Sequence, residues 1–178
     1  MGMVRLVAAA VAISALAACH SRSVPDRESW QALEPIVRAA LTAQRDAFVH
    51  GDAEVAWRGS GLDTAHWPAV RIQVDSAVQR RDFLLRRGLD YHAVLEARTT
   101  VDSARLTTDT ATLWVTAWSL YAHRLIGADT MPGPSMGEAV PHVFSFVRRQ
   151  GAWFLVRDSI IPLAELHRLD RATPRSVR

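Results

Sequence analysis

The chain opens with an apolar run, Leu6 to Ala18, behind a single basic residue, Arg5. A spanning helix needs about 20 apolar residues; this stretch has instead the length of a signal-peptide core. From His20 to about Arg27 the sequence is polar and contains Pro25, which reads as a short tether. Trp30, Leu33, Val37, Ala40, Leu41 and Phe48 then recur at helical spacing. They predict an amphipathic helix that ends at Gly51, with Pro35 in the first turn of its regular part. Asp52 is placed to cap a short helix through about Arg58, broken by Gly59-Ser60-Gly61. A third helix is expected from about Ala65 to Arg87, capped by Thr64 and closed by Gly88. Its apolar face is Trp67, Val70, Val74, Ala77, Val78, Leu84 and Leu85.

After Gly88 the period changes to two. Tyr91, Ala93, Leu95 and Ala97 alternate with His92, Val94 and Glu96 over a strand from Tyr91 to Thr100. A bend at Asp102-Ser103 precedes a short strand from Ala104 to Thr107, and Asp109 marks the next turn. Ala111 to His123 is rich in β-branched and aromatic residues. Gly127 to Glu138, with three glycines and two prolines, reads as a loop. Val140 to Arg149 and Trp153 to Ile161 form a hairpin across Gln150-Gly151, and Pro162 ends the last strand. Leu163 to Leu169 is long enough for one or two helical turns, and the tail from Arg171 has a disordered composition.

Three helices followed by strands, without alternation, predict an α+β domain: three N-terminal helices packed on a curved, mainly antiparallel sheet of four to five strands. The order, with Ala47-Phe48-Val49-His50-Gly51-Asp52 between the first two helices, resembles the nuclear transport factor 2-like superfamily, which includes ketosteroid isomerases and polyketide cyclases of the SnoaL type. The stretch from Val143 to Asp158 resembles that superfamily's final hairpin: an apolar strand, a basic turn with glycine, and a strand led by Trp153. The resemblance covers Trp30 to Ile161 and implies a cone-like shape with a pocket on the concave face of the sheet. The expected organisation is a signal peptide at 1–18, a tether at 19–28, the domain at 29–162 and a C-terminal tail at 163–178.

Leu16-Ala17-Ala18-Cys19 holds the only cysteine, at the point where the apolar run ends. It resembles the lipobox of bacterial lipoproteins, whose processing cuts before the cysteine and diacylates it. A plain secretory peptide cut after Ala15-Leu16-Ala17, or a weak membrane anchor, is the competing reading. Stable attachment needs two lipid signals, which diacylation supplies at ~0.8 kcal/mol per buried methylene. His20 stands where an aspartate would signal inner-membrane retention in an enterobacterial lipoprotein, so the resemblance favours the outer membrane in a cell with two. With Cys19 lipidated no thiol is left for a disulfide. All 21 basic residues are arginine, scattered along the chain, and the formal net charge is +3. That is a poor match to a nucleic-acid-binding protein, and no nucleic-acid partner is expected.

Pocket chemistry needs apolar walls and a few convergent polar groups. The strand candidates are His92, Glu96, Trp114, Trp118, Tyr121, His142, Arg157 and Asp158. An inward-facing Asp158 is a candidate general base, with Tyr121 or His142 as the donor to an enolate-like oxygen. The base and donor pair of the isomerases is not matched residue by residue. The sequence has no His-Glu-x-x-His pair, no Cys-x-x-Cys, no acidic calcium loop, no Gly-x-Ser-x-Gly elbow and no phosphate-binding glycine pattern. His92, His123 and His142 are read as strand residues rather than a metal set, and no cofactor is expected.

Six tryptophans remain. Trp30, Trp57, Trp67 and Trp153 are expected in the core. Trp114 and Trp118 share one strand face, with Val115 and Ala117 on the other, so one face meets the helices and the other is available to a partner or a second copy in a homodimer. The function expected is a lipid-anchored envelope protein acting as a ligand-binding or assembly module, taking a small hydrophobic ligand or an envelope protein. The alternative is a small-molecule isomerase or cyclase-like enzyme using Asp158.

Overall fold

A computed structural model describes residues 27–127 and 135–161. Cys19 and its lipobox, most of the tether, the central part of the Gly127–Glu138 loop and the C-terminal tail, including Leu163 to Leu169, lie outside the described residues. Three helices precede four strands: α1 Arg27–His50, α2 Ala53–Ser60, α3 Trp67–Leu85, β1 Leu89–Leu106, β2 Thr110–Leu125, β3 Met136–Arg149 and β4 Ala152–Ile160. The strands form one sheet in the order β1-β2-β3-β4, every pair antiparallel. The helices pack on one face, so the domain is the α+β arrangement its pattern implies.

The helix ends follow local chemistry. Gly51 takes φ +72°, and a β-carbon there would meet Arg81 Nη1 at 3.0 Å, so the turn between α1 and α2 needs both the conformation and the small size of glycine. Asp52 caps α2, accepting from the amides of Glu54 and Val55 at 2.8 and 3.0 Å. Three boundaries differ from expectation. Pro35 lies inside α1 rather than in its first turn, because the helix begins at Arg27. Its ring is exposed, and so is Gln31, whose carbonyl loses an intrahelical donor and faces water. Gly59 stays helical, and α2 stops only at Gly61 with φ +70°. Thr64 does not cap α3; His66 holds that position, and Pro68 opens the helix.

The strands differ more. The two predicted strands Tyr91–Thr100 and Ala104–Thr107 are one, β1, with register shifts between Tyr91 and Ala93, Val94 and Glu96, and Val101 and Ser103. The bend expected at Asp102-Ser103 is therefore a bulge, and Thr116 Oγ1 donates to Asp102 Oδ2 across it at 2.8 Å. Each shift moves the side chains that follow to the other face, so Tyr91 is buried while Leu95 is 57 % exposed. β3 begins at Met136, inside the segment read as a loop. The last hairpin turns at Gln150-Gly151, both with positive φ (52° and 83°), the type I′ geometry that matches strand twist.

The core joins Leu33, Val37, Ala40 and Ala47 of α1 to Leu113, Val115, Phe144, Phe146 and Leu155 on the helix-facing side of the sheet. Full burial of each large side chain contributes about 1.5–3 kcal/mol. Trp57 and Trp67 stack with ring centroids 5.6 Å apart, and Trp30 and Trp153 pack against the same cluster. Trp118 takes the outer face, beneath the Arg98 guanidinium at 5.3 Å. α3 buries fully only Val70 and Val74, while Trp67, Ala69, Ala77 and Val78 pack part-buried against the core.

His66 fastens α3 to the sheet: its Nδ1 accepts the buried Leu155 amide at 3.2 Å. Burial lowers its pKa from the ordinary 6.5, opposed by the charge of Asp63. A lowered folded pKa means that the unfolded chain binds the proton more readily. This contribution to stability is complete above about pH 6.5 and is lost as pH falls through the folded value. Urea unfolding at about pH 7.5 and about pH 5.5 should therefore show a larger loss in the wild type than in His66→Gln, which keeps an acceptor but does not titrate. Equal losses would mean that the ring is not held neutral.

Candidate functional site

α1, α3 and the helix-facing side of β2, β3 and β4 enclose a partly open cleft of about 130 Å3. Leu41, Phe48, Ala77, Ala117, Val140 and Ile160 supply apolar wall, and its polar groups converge from both layers. From the helices come Gln44, Arg45, Gln73 and Arg80; from the strands come Ser119, Tyr121, Glu138 and His142. The sequence places them there by period. Gln44 and Arg45 follow Leu41 by three and four residues, hence on the buried side of α1, while Ser119 and Tyr121 continue the inward series of Val115 and Ala117 on β2.

Behind this wall sits a buried pair. Asp158 Oδ1 lies 2.9 Å from His142 Nδ1, and the two side chains are 0 % and 3 % exposed. Asp158 Oδ2 accepts from Gln44 Nε2 at 2.6 Å, and its main-chain carbonyl accepts from Gln73 Nε2 at 3.4 Å. Both carboxylate oxygens are thus engaged, and Asp158 does not line the cleft. His142 does, with Nε2 as the ring nitrogen left over by the carboxylate. Its ring stacks on Phe144 at 5.4 Å with an interplanar angle of 9°. An acidic group that orients an imidazole from behind fixes its tautomer and the direction of its free nitrogen, which is what general-base work requires.

The cleft's charges are unevenly matched. Arg80 Nη1 pairs with Glu138 Oε1 at 2.5 Å, and its guanidinium lies 5.2 Å from the Phe48 ring centre. Arg45 Nη1 is buried and has no hydrogen-bond partner among the described residues. Burial lowers the Arg45 pKa, with the neighbouring Tyr121 and Asp46 acting in the opposite sense. Burial also pushes the Tyr121 hydroxyl up, a shift opposed by Ser119 beside it.

Of the strand candidates, Tyr121 and His142 meet at the cleft and Asp158 stands directly behind it. The others go elsewhere. His92 is exposed, Glu96 pairs with Arg98, and Arg157 donates from Nε to Ser159 Oγ at 2.8 Å on the outside. Trp118 is on the outer face, as is Trp114, whose neighbours Leu113 and Val115 are in the core. His123 stacks on Tyr91 at 5.3 Å, away from His142. No group of three or more potential metal ligands occurs among the described residues. Gln44, Arg45, Gln73, Arg80 and Glu138 were not among the candidates. A polar pair set between Leu41 and Phe48 on the apolar side of a helix is the signal that marks the first two.

No family model matches the chain, and no curated protein matches it. Two solved structures are similar at low identity. The intermembrane space region of the chloroplast protein ARC6 shares 14% identity at a TM-score of 0.42, covering 77% of this chain and 98% of that one. An NTF2-like protein with a cystatin-like fold from Novosphingobium aromaticivorans shares 18% identity at a TM-score of 0.35, covering 76% and 84%. Likeness this distant transfers neither protein's role. No helix among the described residues is long and apolar enough to cross a membrane.

Proposed function

We propose that the chain is an envelope module, exported and tethered by lipid at Cys19, whose nuclear transport factor 2-like domain binds a small, mainly apolar ligand in the cleft between α1, α3 and the sheet. The cleft carries this reading, because apolar walls with a few convergent polar groups are the composition of small-molecule sites. Its size supports a ligand of one ring or a short branched chain: an apolar cavity of about 150 Å3 holds benzene. The helix order and the four-stranded meander support the domain type, and the position of Cys19 supports the anchor.

A thermal-shift survey of single-ring compounds tests the binding. At about 100 times Kd a ligand stabilises by about 2.7 kcal/mol, a rise of roughly 5–10 °C for a chain of this length. Val140→Trp, which fills the cleft, should abolish the rise. No rise with any such compound in the wild type would contradict the reading. Cys19→Ala should remove metabolic palmitate labelling, and a persistent label would refute the anchor.

A second reading, an isomerase-like enzyme, is favoured by the Asp158–His142 pair at the cleft wall. In it His142, rather than Asp158, is the group that takes a proton, and Asp158 holds its orientation. A β,γ-unsaturated cyclic ketone should then rearrange to its conjugated isomer faster with wild type than with His142→Gln; equal rates would exclude it.

A further inference from the structure

We infer that the ligand of the cleft carries an anionic group, a carboxylate in the simplest case, and that Arg45 receives it; this rests on the binding reading above. Arg45 lies one helical turn beyond Leu41 and three residues before Phe48, among the residues that form the wall. Its Nη1 is buried without a partner among the described residues. A guanidinium stays protonated in proteins, so it cannot relieve its own desolvation by becoming neutral.

The neighbouring charges are spoken for. Glu138 is paired with Arg80, and the two oxygens of Asp158 are held by His142 and Gln44. Beside the C-terminus of α1, Arg81 and Arg124 share Asp90. Asp46 follows Arg45 in sequence but turns towards α2, where its Oδ2 stands 3.6 Å from the β-carbon position of Gly59. Asp46 acts on the Arg45 charge through space, but no described carboxylate hydrogen-bonds its buried Nη1. A bound carboxylate would supply the missing charge, and the planar donor fork of arginine accommodates its two oxygens. Tyr121, on the facing strand, adds a neutral hydroxyl beside the same space. The apolar wall then holds the remainder of the ligand.

Benzoate and benzamide, nearly equal in shape and different in charge, separate the possibilities. Titrations followed by NMR of the purified domain in low salt should show benzoate bound about tenfold or more tightly than benzamide. Arg45→Met should erase that preference, lowering benzoate affinity to the level of benzamide. The same variant should melt at or above the wild-type temperature without ligand, because an apolar side chain of similar length replaces a desolvated charge. Equal affinities in the wild type, or a preference that survives Arg45→Met, would overturn the role of Arg45 and leave the binding reading standing. A fall of several degrees in Arg45→Met would show that the guanidinium is paired within the chain, and would also overturn it. Failure of both probes to bind, with no shift from other single-ring compounds, would remove the binding reading and this inference together.

Discussion

Asp158→Ala is expected to destabilise the domain by about 3–5 kcal/mol, measured by urea denaturation at neutral pH. The side chain is wholly buried and holds two partners from different elements, His142 on β3 and Gln44 on α1. Removing the carboxylate leaves an imidazole nitrogen and an amide hydrogen facing a void that water does not readily fill. Total stability for a domain of this kind is about 5–15 kcal/mol, so the variant should sit near the edge of folding. Asp158→Asn should recover most of the loss, because an amide oxygen still accepts from His142 and Gln44 can turn its own oxygen towards the new donor. A loss below about 1 kcal/mol for the alanine variant, the size expected for an exposed pair, would show that the pair is solvated.

Phe144→Ala should cost a similar ~3–5 kcal/mol, by a different mechanism. The ring is 0 % exposed, stacks on His142, and lies opposite Leu113 in the β2–β3 register. Truncation leaves a cavity beneath the imidazole; Phe144→Leu, which fills much of it, should cost about 1 kcal/mol. Phe144 and Asp158 are also directly opposed across β3 and β4. The double variant should therefore lose less than the sum of the two singles, since each removes part of the support for the same histidine. Strict additivity in urea denaturation would mean that the ring and the carboxylate act on independent parts of the core.

Where the local code is strong, the sequence was readable. Gly51 with Asp52, Gly61, and Gln150-Gly151 each impose a backbone conformation on their neighbours, and the ends of α1 and α2 and the final hairpin fall at or next to them. β1 was misread because alternation assumes an unbroken register. Its three shifts, none of which leaves a glycine or proline as a marker, send Tyr91 inward and Leu95 outward. The cleft was half legible. Tyr121 and His142 follow from strand period, but Asp158 reaches His142 only through the register shift between Ser145 and Phe146. Arg45 and Gln44 are harder to read, because a polar residue on an amphipathic helix is ordinarily a solvated one. Only the placement of α3, whose Gln73, Ala77 and Arg80 face α1 across the cleft, turns that pair towards a cavity.

The most direct measurement is a titration of the isotopically labelled domain with benzoate, followed by backbone and side-chain amide NMR shifts. A cleft site requires the largest changes at Gln44, Arg45, Gln73, Ser119, Tyr121 and His142, saturating together with one Kd. Changes centred on Trp114 and Trp118 on the outer face, or none that saturate, would contradict a ligand site between the helices and the sheet.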